Sequence, residues 1–195
     1  MTFTIVGCGP SAALWEPNGV SIGSNDCEKY RKGVDHLVLA NHPRKFVPER
    51  LSVIKRSRAQ VHTTSRSQWQ AAFPTCLQLT RVVSFNTRIL GGFVYTARTT
   101  PIMCMSLAIR MGAKRLILWG VDMMTHHAYY KGSKRGDSEI ALYKRFFVEC
   151  KRIGVEVYLG AEGTAYDKVL PLWKEEQKKL IIEIMKSDEE LGLYN

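Results

Sequence analysis

Residue types that handle phosphates, sugar hydroxyls and protons fall in a few places along this chain. Gly7-Cys8-Gly9-Pro10-Ser11 follows a β-type run, Thr2 to Val6. Glycines in that place let backbone N–H groups approach a phosphate, although a tight turn alone would use the same residues. The third glycine of the dinucleotide fingerprint is replaced by Ala12 and no acid closes a matching second strand, so NAD is disfavoured. Asp122, in Gly120-Val121-Asp122, ends another apolar run and suits a nucleotide or sugar contact. Asn25 and Asn41 carry amides, which offer donors and an acceptor to a base edge or a ribose; asparagine also favours turns for its own sake. His126 and His127 are the candidates for general acid or base, with ordinary surface histidines as the plain alternative. His36 and His62 lie in or beside strands and read as structural.

These residues need elements to position them. Thr99 or Thr100 can cap a helix whose first position takes Pro101 and which Gly112 stops. Leu116 to Trp119 is wholly apolar, as a strand covered on both faces must be, so Asp122 lies just past a strand's C-terminal end. In open α/β sheets that rim is where ligands bind. Further strand-type runs are Val20–Ile22, Leu37–Leu39, Gln60–Thr63, Val82–Phe85 and Val155–Leu159. Asn25, Asn41, Thr63–Ser65 and Asn86 each follow one of them and would converge on one edge of a parallel sheet. Ser138 to Ile153 reads as an amphipathic helix ended by Gly154, and the polar, glycine-broken stretch before it suits a mobile loop over the site. The alternation predicts a single Rossmann-like α/β domain over residues 1–171, with a mostly parallel sheet of about six or seven strands and helices on both faces. Residues 172–195 read as a terminal helix, docked on the body or forming a contact between subunits of a homo-oligomer.

Composition sets the outer bounds. At 195 residues and 45% hydrophobic, the chain suffices for one well-buried domain and falls short of two. It has neither a membrane-spanning apolar run nor a signal pattern, so a cytoplasmic protein is expected. The cysteines are scattered with no Cys-x-x-Cys pair, which argues against a disulfide framework or a zinc site. A net charge of +10 favours an anionic partner: a phosphate, an anionic glycan, another polyanion or nucleic acid. No zinc-finger, ribonucleoprotein or basic-zipper motif accompanies it.

Gly7-x-Gly9-Pro10-Ser11 after the first strand, Asn25 after the second, Asn41-x-Pro43 after the third, and Thr99-Thr100 running through to Gly120-Val121-Asp122 carry a family resemblance. The chain resembles the bacterial CMP-sialic-acid-dependent sialyltransferases of the lipooligosaccharide type, which show Gly-Asn-Gly-Pro-Ser, Asn-x-Pro, Thr-Ser-Gly and Gly-Ile-Asp at these places. The resemblance implies that Gly9 and Ser11 approach the nucleotide phosphate and that Asn25 and Asn41 contact nucleotide and sugar. It further implies that Thr99, Thr100, Gly120, Val121 and Asp122 line the cytidine and ribose pocket. Tyr130 matches a tyrosine that hydrogen-bonds the leaving phosphate, a contact that takes the place of a metal, so no metal and no cofactor are expected. The chain departs from the family at Cys8, where an asparagine is expected, and at Met124, where a second tyrosine is expected. It also reads Gly132-Ser133-Lys134 where the family's Gly-His-Ser-Lys places the general base. Two functions follow: a metal-independent glycosyltransferase-like enzyme using a nucleotide sugar, preferentially a CMP-sugar, or a nucleotide- or nucleic-acid-binding protein that keeps the fold without the base.

Overall fold

The structure, a computed structural model, describes residues 1–82, 94–95, 99–124 and 132–174. Seven strands form one sheet: β1 (Thr2–Val6), β2 (Val20–Ser24), β3 (His36–Leu39), β4 (Gln60–Thr63), β5 (Leu77–Gln78), and then, past a separate ladder of β6 (Arg81–Val82) and β7 (Val94–Tyr95), β8 (Arg115–Trp119) and β9 (Glu156–Leu159). Every neighbouring pair in the large sheet is parallel, in the order β5-β4-β3-β2-β1-β8-β9. The chain builds outward from β1 to one side, returns, and builds outward from β8 to the other. The β1–β8 pair is therefore the topological switch point, the place in an open parallel sheet where ligand crevices form.

Side chains of successive residues point to opposite faces of the sheet, and both faces are buried. Phe3, Ile5, Val38, Leu116 and Leu118 pack against α3 (Pro101–Arg110) and α4 (Lys134–Arg152). Val6, Leu37, Leu39, Ile117 and Trp119 face the opposite way, toward α1 (Pro48–Lys55), α2 (Arg66–Trp69) and the short 3-10 turns at 10–14 and 27–29. The expected α/β architecture with helices on both faces is present, with the long helices on one side and short ones on the other. α3 buries Ile102, Met103, Met105 and Leu107, each worth roughly 1.5–3 kcal/mol of transfer free energy, which fixes it over β1 and β2. Gly112, at φ +89°, and Gly154, at φ +75°, end α3 and α4 in the left-handed conformation; Ala113 N donates to Ala108 O at 3.0 Å and Val155 N to Cys150 O at 2.8 Å.

Several boundaries differ from the sequence expectation. Arg81–Val82 pairs with Val94–Tyr95 outside the main sheet, and residues 83–85 lie outside the described residues, as does Asn86. The seventh strand is instead Leu77–Gln78, both exposed. α4 starts at Lys134 rather than Ser138, because Ser133 caps it by accepting from Gly136 N at 3.0 Å. The loop before it is correspondingly shorter, and its residues 125–131 lie outside the described residues. Leu172 bridges to Leu159 and helix begins at Trp173, but the remainder of the expected terminal helix, from residue 175, is outside the described residues. Among the described residues no helix is long and apolar enough to cross a membrane.

Candidate functional site

The turn after β1 lies directly against the end of β8. Gly7 N donates to Trp119 O at 2.7 Å and Gly9 N to Gly120 O at 2.8 Å. A Cβ on Gly7 would sit 2.1 Å from Gly120 O, and one on Gly9 would sit 2.5 Å from Asp122 Oδ2. The first role of both glycines is thus to admit the neighbouring strand end. Ser11 completes the junction: its Oγ accepts from Gly120 N at 2.7 Å and donates to Asp122 Oδ1, while its own N–H donates to Asp122 Oδ2 at 2.9 Å. Asp122 is 6% exposed, and Ala165 N donates to its carbonyl at 2.9 Å. Both carboxylate oxygens are engaged by Ser11, which makes Asp122 the latch that shapes the turn at the switch point. Val121 is buried beside it.

Beside this junction stand β2, which pairs with β1, and α3, which packs over both. Asn25 adopts a left-handed conformation at φ 51°, which turns the chain sharply at the end of β2. Its Nδ2 donates to Thr100 Oγ1 at 3.1 Å, whereas its Oδ1 is buried and has no hydrogen-bond partner among the described residues. A buried acceptor left unpaired costs about 1–3 kcal/mol, so this oxygen is suited to a donor that a ligand brings. Thr100 occupies the N-cap position but its hydroxyl bonds no helix N–H; it receives Asn25 instead. Thr99 also does not cap: its hydroxyl lies 2.6 Å from Tyr143 OH. The expected threonine cap is corrected on both counts, because side chains from β2 and α4 compete successfully for the two hydroxyls.

Asn41 stands at the end of β3 with its side chain exposed, and its carbonyl accepts from Trp69 Nε1 at 2.9 Å. It shares the strand-end edge with Asn25 but takes no part in the Ser11–Asp122 junction. His126, His127 and Tyr130 lie outside the described residues. The structure adds residues that sequence reasoning missed. Tyr143, read only as part of an apolar helix face, supports Thr99 and stacks on Tyr166 at 5.6 Å between ring centroids. Burial pushes the Tyr143 hydroxyl up, so it stays protonated and can donate to Thr99.

Cys8 points toward β2, with Sγ donating to Ser24 O at 3.1 Å and lying 3.5 Å from Asp26 Oδ1. Burial, reinforced by the charge of Asp26, pushes its thiol up to about 12, so at neutral pH it is a protonated donor and not a nucleophile. Asp26 is 1% exposed and holds a two-pronged ion pair with Arg50, at 2.9 Å and 2.6 Å. Burial alone would raise that carboxyl; the hydrogen bonds and charge of Arg50 outweigh it and hold the group below its ordinary value. Among the described residues no three His, Cys, Asp or Glu side chains are grouped as a metal ion would need.

No protein-family model matches the chain, and no curated protein matches it in sequence. Solved structures do match in fold. The sialyltransferase CstII from Campylobacter jejuni in complex with the substrate analogue CMP-3FNeuAc superposes with a TM-score of 0.53 at 11% identity, covering 88% of this chain and 84% of that one. The sialyltransferase CST-II in complex with a trisaccharide acceptor and CMP gives 0.54 at 12% identity, over 88% and 86%. The monofunctional α-2,3-sialyltransferase Cst-I from Campylobacter jejuni gives 0.53 at 14% identity, over 88% and 79%. The likeness is one of fold, and it spans most of both chains.

Proposed function

We propose that this chain is a glycosyltransferase that binds a nucleotide sugar, preferentially a CMP-sugar, in the crevice between the ends of β1, β2 and β8. The observation that carries the proposal is the buried Oδ1 of Asn25, which has no partner among the described residues and whose amide nitrogen is already spent on Thr100. Such an atom is an acceptor held ready for a hydroxyl or amino donor, as a ribose or a cytosine presents. The fold supports the same ligand, since its structural relatives are solved with CMP or a CMP-sugar analogue. The resemblance would set Gly9 and Ser11 nearest the phosphate, although their N–H groups and the Ser11 hydroxyl already bond Gly120 and Asp122, and would set Asn41 beside the sugar, with Tyr130 stabilising the departing phosphate and His126 or His127 taking the acceptor's proton.

Binding without transfer is the second reading, and one observation favours it. Where the resemblance implies a base histidine, this chain has Gly132-Ser133, and Ser133 is committed to capping α4. Thermal shift and calorimetry with CMP, UMP and GMP test the pocket: selective stabilisation by CMP, weakened at least tenfold in Asn25→Ala, is expected, and indifference to all three would discard it. Turnover of CMP-sialic acid, measured as release of CMP, then separates the readings. Release that His127→Ala and His126→Ala leave unchanged would remove those residues from the mechanism.

A further inference from the structure

A cavity of about 540 Å³ lies between α4 and the loop that follows β9. It lies beside the Ser11–Asp122 junction. Met124, two residues beyond Asp122, contributes to its wall, and Ala165 on the opposite wall is tied to the Asp122 carbonyl at 2.9 Å. On the α4 side, Asp137, Ile140, Ala141 and Lys144 follow a three-to-four-residue spacing and so present one helix face to the cavity. The volume falls within the usual range for small-molecule sites and accommodates a molecule of one or two sugar rings.

The charges lining this cavity are unequally available. Asp167 accepts from Gly163 N, Thr164 N and Thr164 Oγ1 at 2.8, 2.9 and 2.7 Å, and Asp137 accepts from Gly132 N at 2.9 Å. Their negative charge is therefore partly offset by the loop's own dipoles. Lys144 and Lys168, by contrast, form no ion pair among the described residues. An incoming molecule meets two ammonium groups, an apolar surface from Ile140 and Ala165, and the remaining acceptor capacity of Asp137, of which one site out of roughly four on a carboxylate is used among the described residues. A simple fatty anion would leave those acceptors unmet, and a neutral sugar would leave the lysines unmet. A molecule with an acidic group, a C–H face and hydroxyl donors meets all three.

We propose that this cavity binds an acidic sugar, with its anionic group on Lys144 and Lys168 and its ring over Ile140 and Ala165. Its place beside the strand-end crevice makes it the acceptor side of the transfer reaction; that assignment rests on the glycosyltransferase reading, whereas the binding itself does not. The test uses saturation-transfer NMR and calorimetry on the full chain with glucuronate and N-acetylneuraminate as acidic probes and N-acetylglucosamine as the neutral one. Saturation of at least one acidic probe and none of the neutral one is expected, with affinity falling at least tenfold in Lys144→Gln/Lys168→Gln. Binding of no acidic probe, equal binding of the neutral one, or unchanged affinity in the double variant overturns the proposal. A melting temperature equal to wild type shows that the variant is folded, and each single glutamine substitution serves if the double does not fold. The CMP response is read in parallel on the same samples. Acidic-sugar binding without a CMP response would defeat the glycosyltransferase reading and leave the cavity's ligand standing, and the reverse result would do the opposite.

Discussion

Replacing Ser11 with alanine removes one hydroxyl and leaves two buried groups short of a partner. Gly120 N loses the acceptor it has at 2.7 Å, and Asp122, 6% exposed, loses the O–H donor on Oδ1 while keeping the Ser11 N–H on Oδ2. An unsatisfied buried N–H costs about 1–3 kcal/mol and a lost bond to a charged group about 1.5–3 kcal/mol; with partial relaxation the expected destabilisation is about 2–4 kcal/mol. In a domain of this size that is a fall in Tm of roughly 5–15 °C. Asp122→Ala should cost a similar amount, since it strands the same hydroxyl and the Ser11 N–H. The two substitutions share their bonds, so Ser11→Ala/Asp122→Ala should be milder than the sum of the singles by about 2 kcal/mol. Urea unfolding of the four proteins gives the cycle directly. Additivity to within about 0.5 kcal/mol would refute the latch and release Asp122 to be a ligand contact only.

Gly7→Ala would place a Cβ 2.1 Å from Gly120 O, a backbone atom that cannot swing aside, so a loss of about 3 kcal/mol or more and of the CMP thermal shift is expected; wild-type stability would show that the β1 turn has room it should lack. His62, 7% exposed and 3.1 Å from His36, has its pKa lowered to about 4 from 6.5, by burial first and then by the charges of His36 and Arg110. Its folded pKa is the lower one, so the unfolded chain binds the proton more readily between those values. Stability must then fall as the pH drops from 6.5 to 4, by up to about 3 kcal/mol. Urea midpoints at pH 7, 5.5 and 4.5 measure the slope, and a His62→Gln variant with the same slope would assign it to other groups.

The sequence read well where one element supplied both signal and context. The apolar runs of β1 and β8 end on glycines, and the structure brings those ends together at the switch point between neighbouring parallel strands. Gly112 and Gly154 likewise announced their helix ends correctly. What escaped was either weak in the local pattern or made by distant partners. β5 is two exposed residues with no apolar signature, and α4 begins on a Lys-Arg-Gly-Asp turn whose helicity depends on the Ser133 cap rather than on hydrophobic spacing. Thr99 and Thr100 had the chemistry of caps, but Tyr143 and Asn25, 44 and 75 residues away, claim their hydroxyls. No periodicity in the chain carries that information, and the orphaned oxygen of Asn25 is visible only once those partners are in place.

The central position of β1 has a consequence for how the protein emerges from the ribosome. One edge of β1 pairs with β2, close behind it, but the other waits for β8, whose paired residues begin at Arg115. At a synthesis rate of roughly 5–20 residues per second, that edge stays bare for on the order of 5–20 s while the intervening chain is made. A nascent strand as apolar as Thr2 to Val6 is a template for mispairing during that interval. Ser11 and Asp122, 111 residues apart, meet only when β8 docks, so that junction is among the last features to form. On the proposed reading nucleotide therefore cannot rescue a half-made chain, and a chaperone that shields the growing edge would act earlier than any ligand.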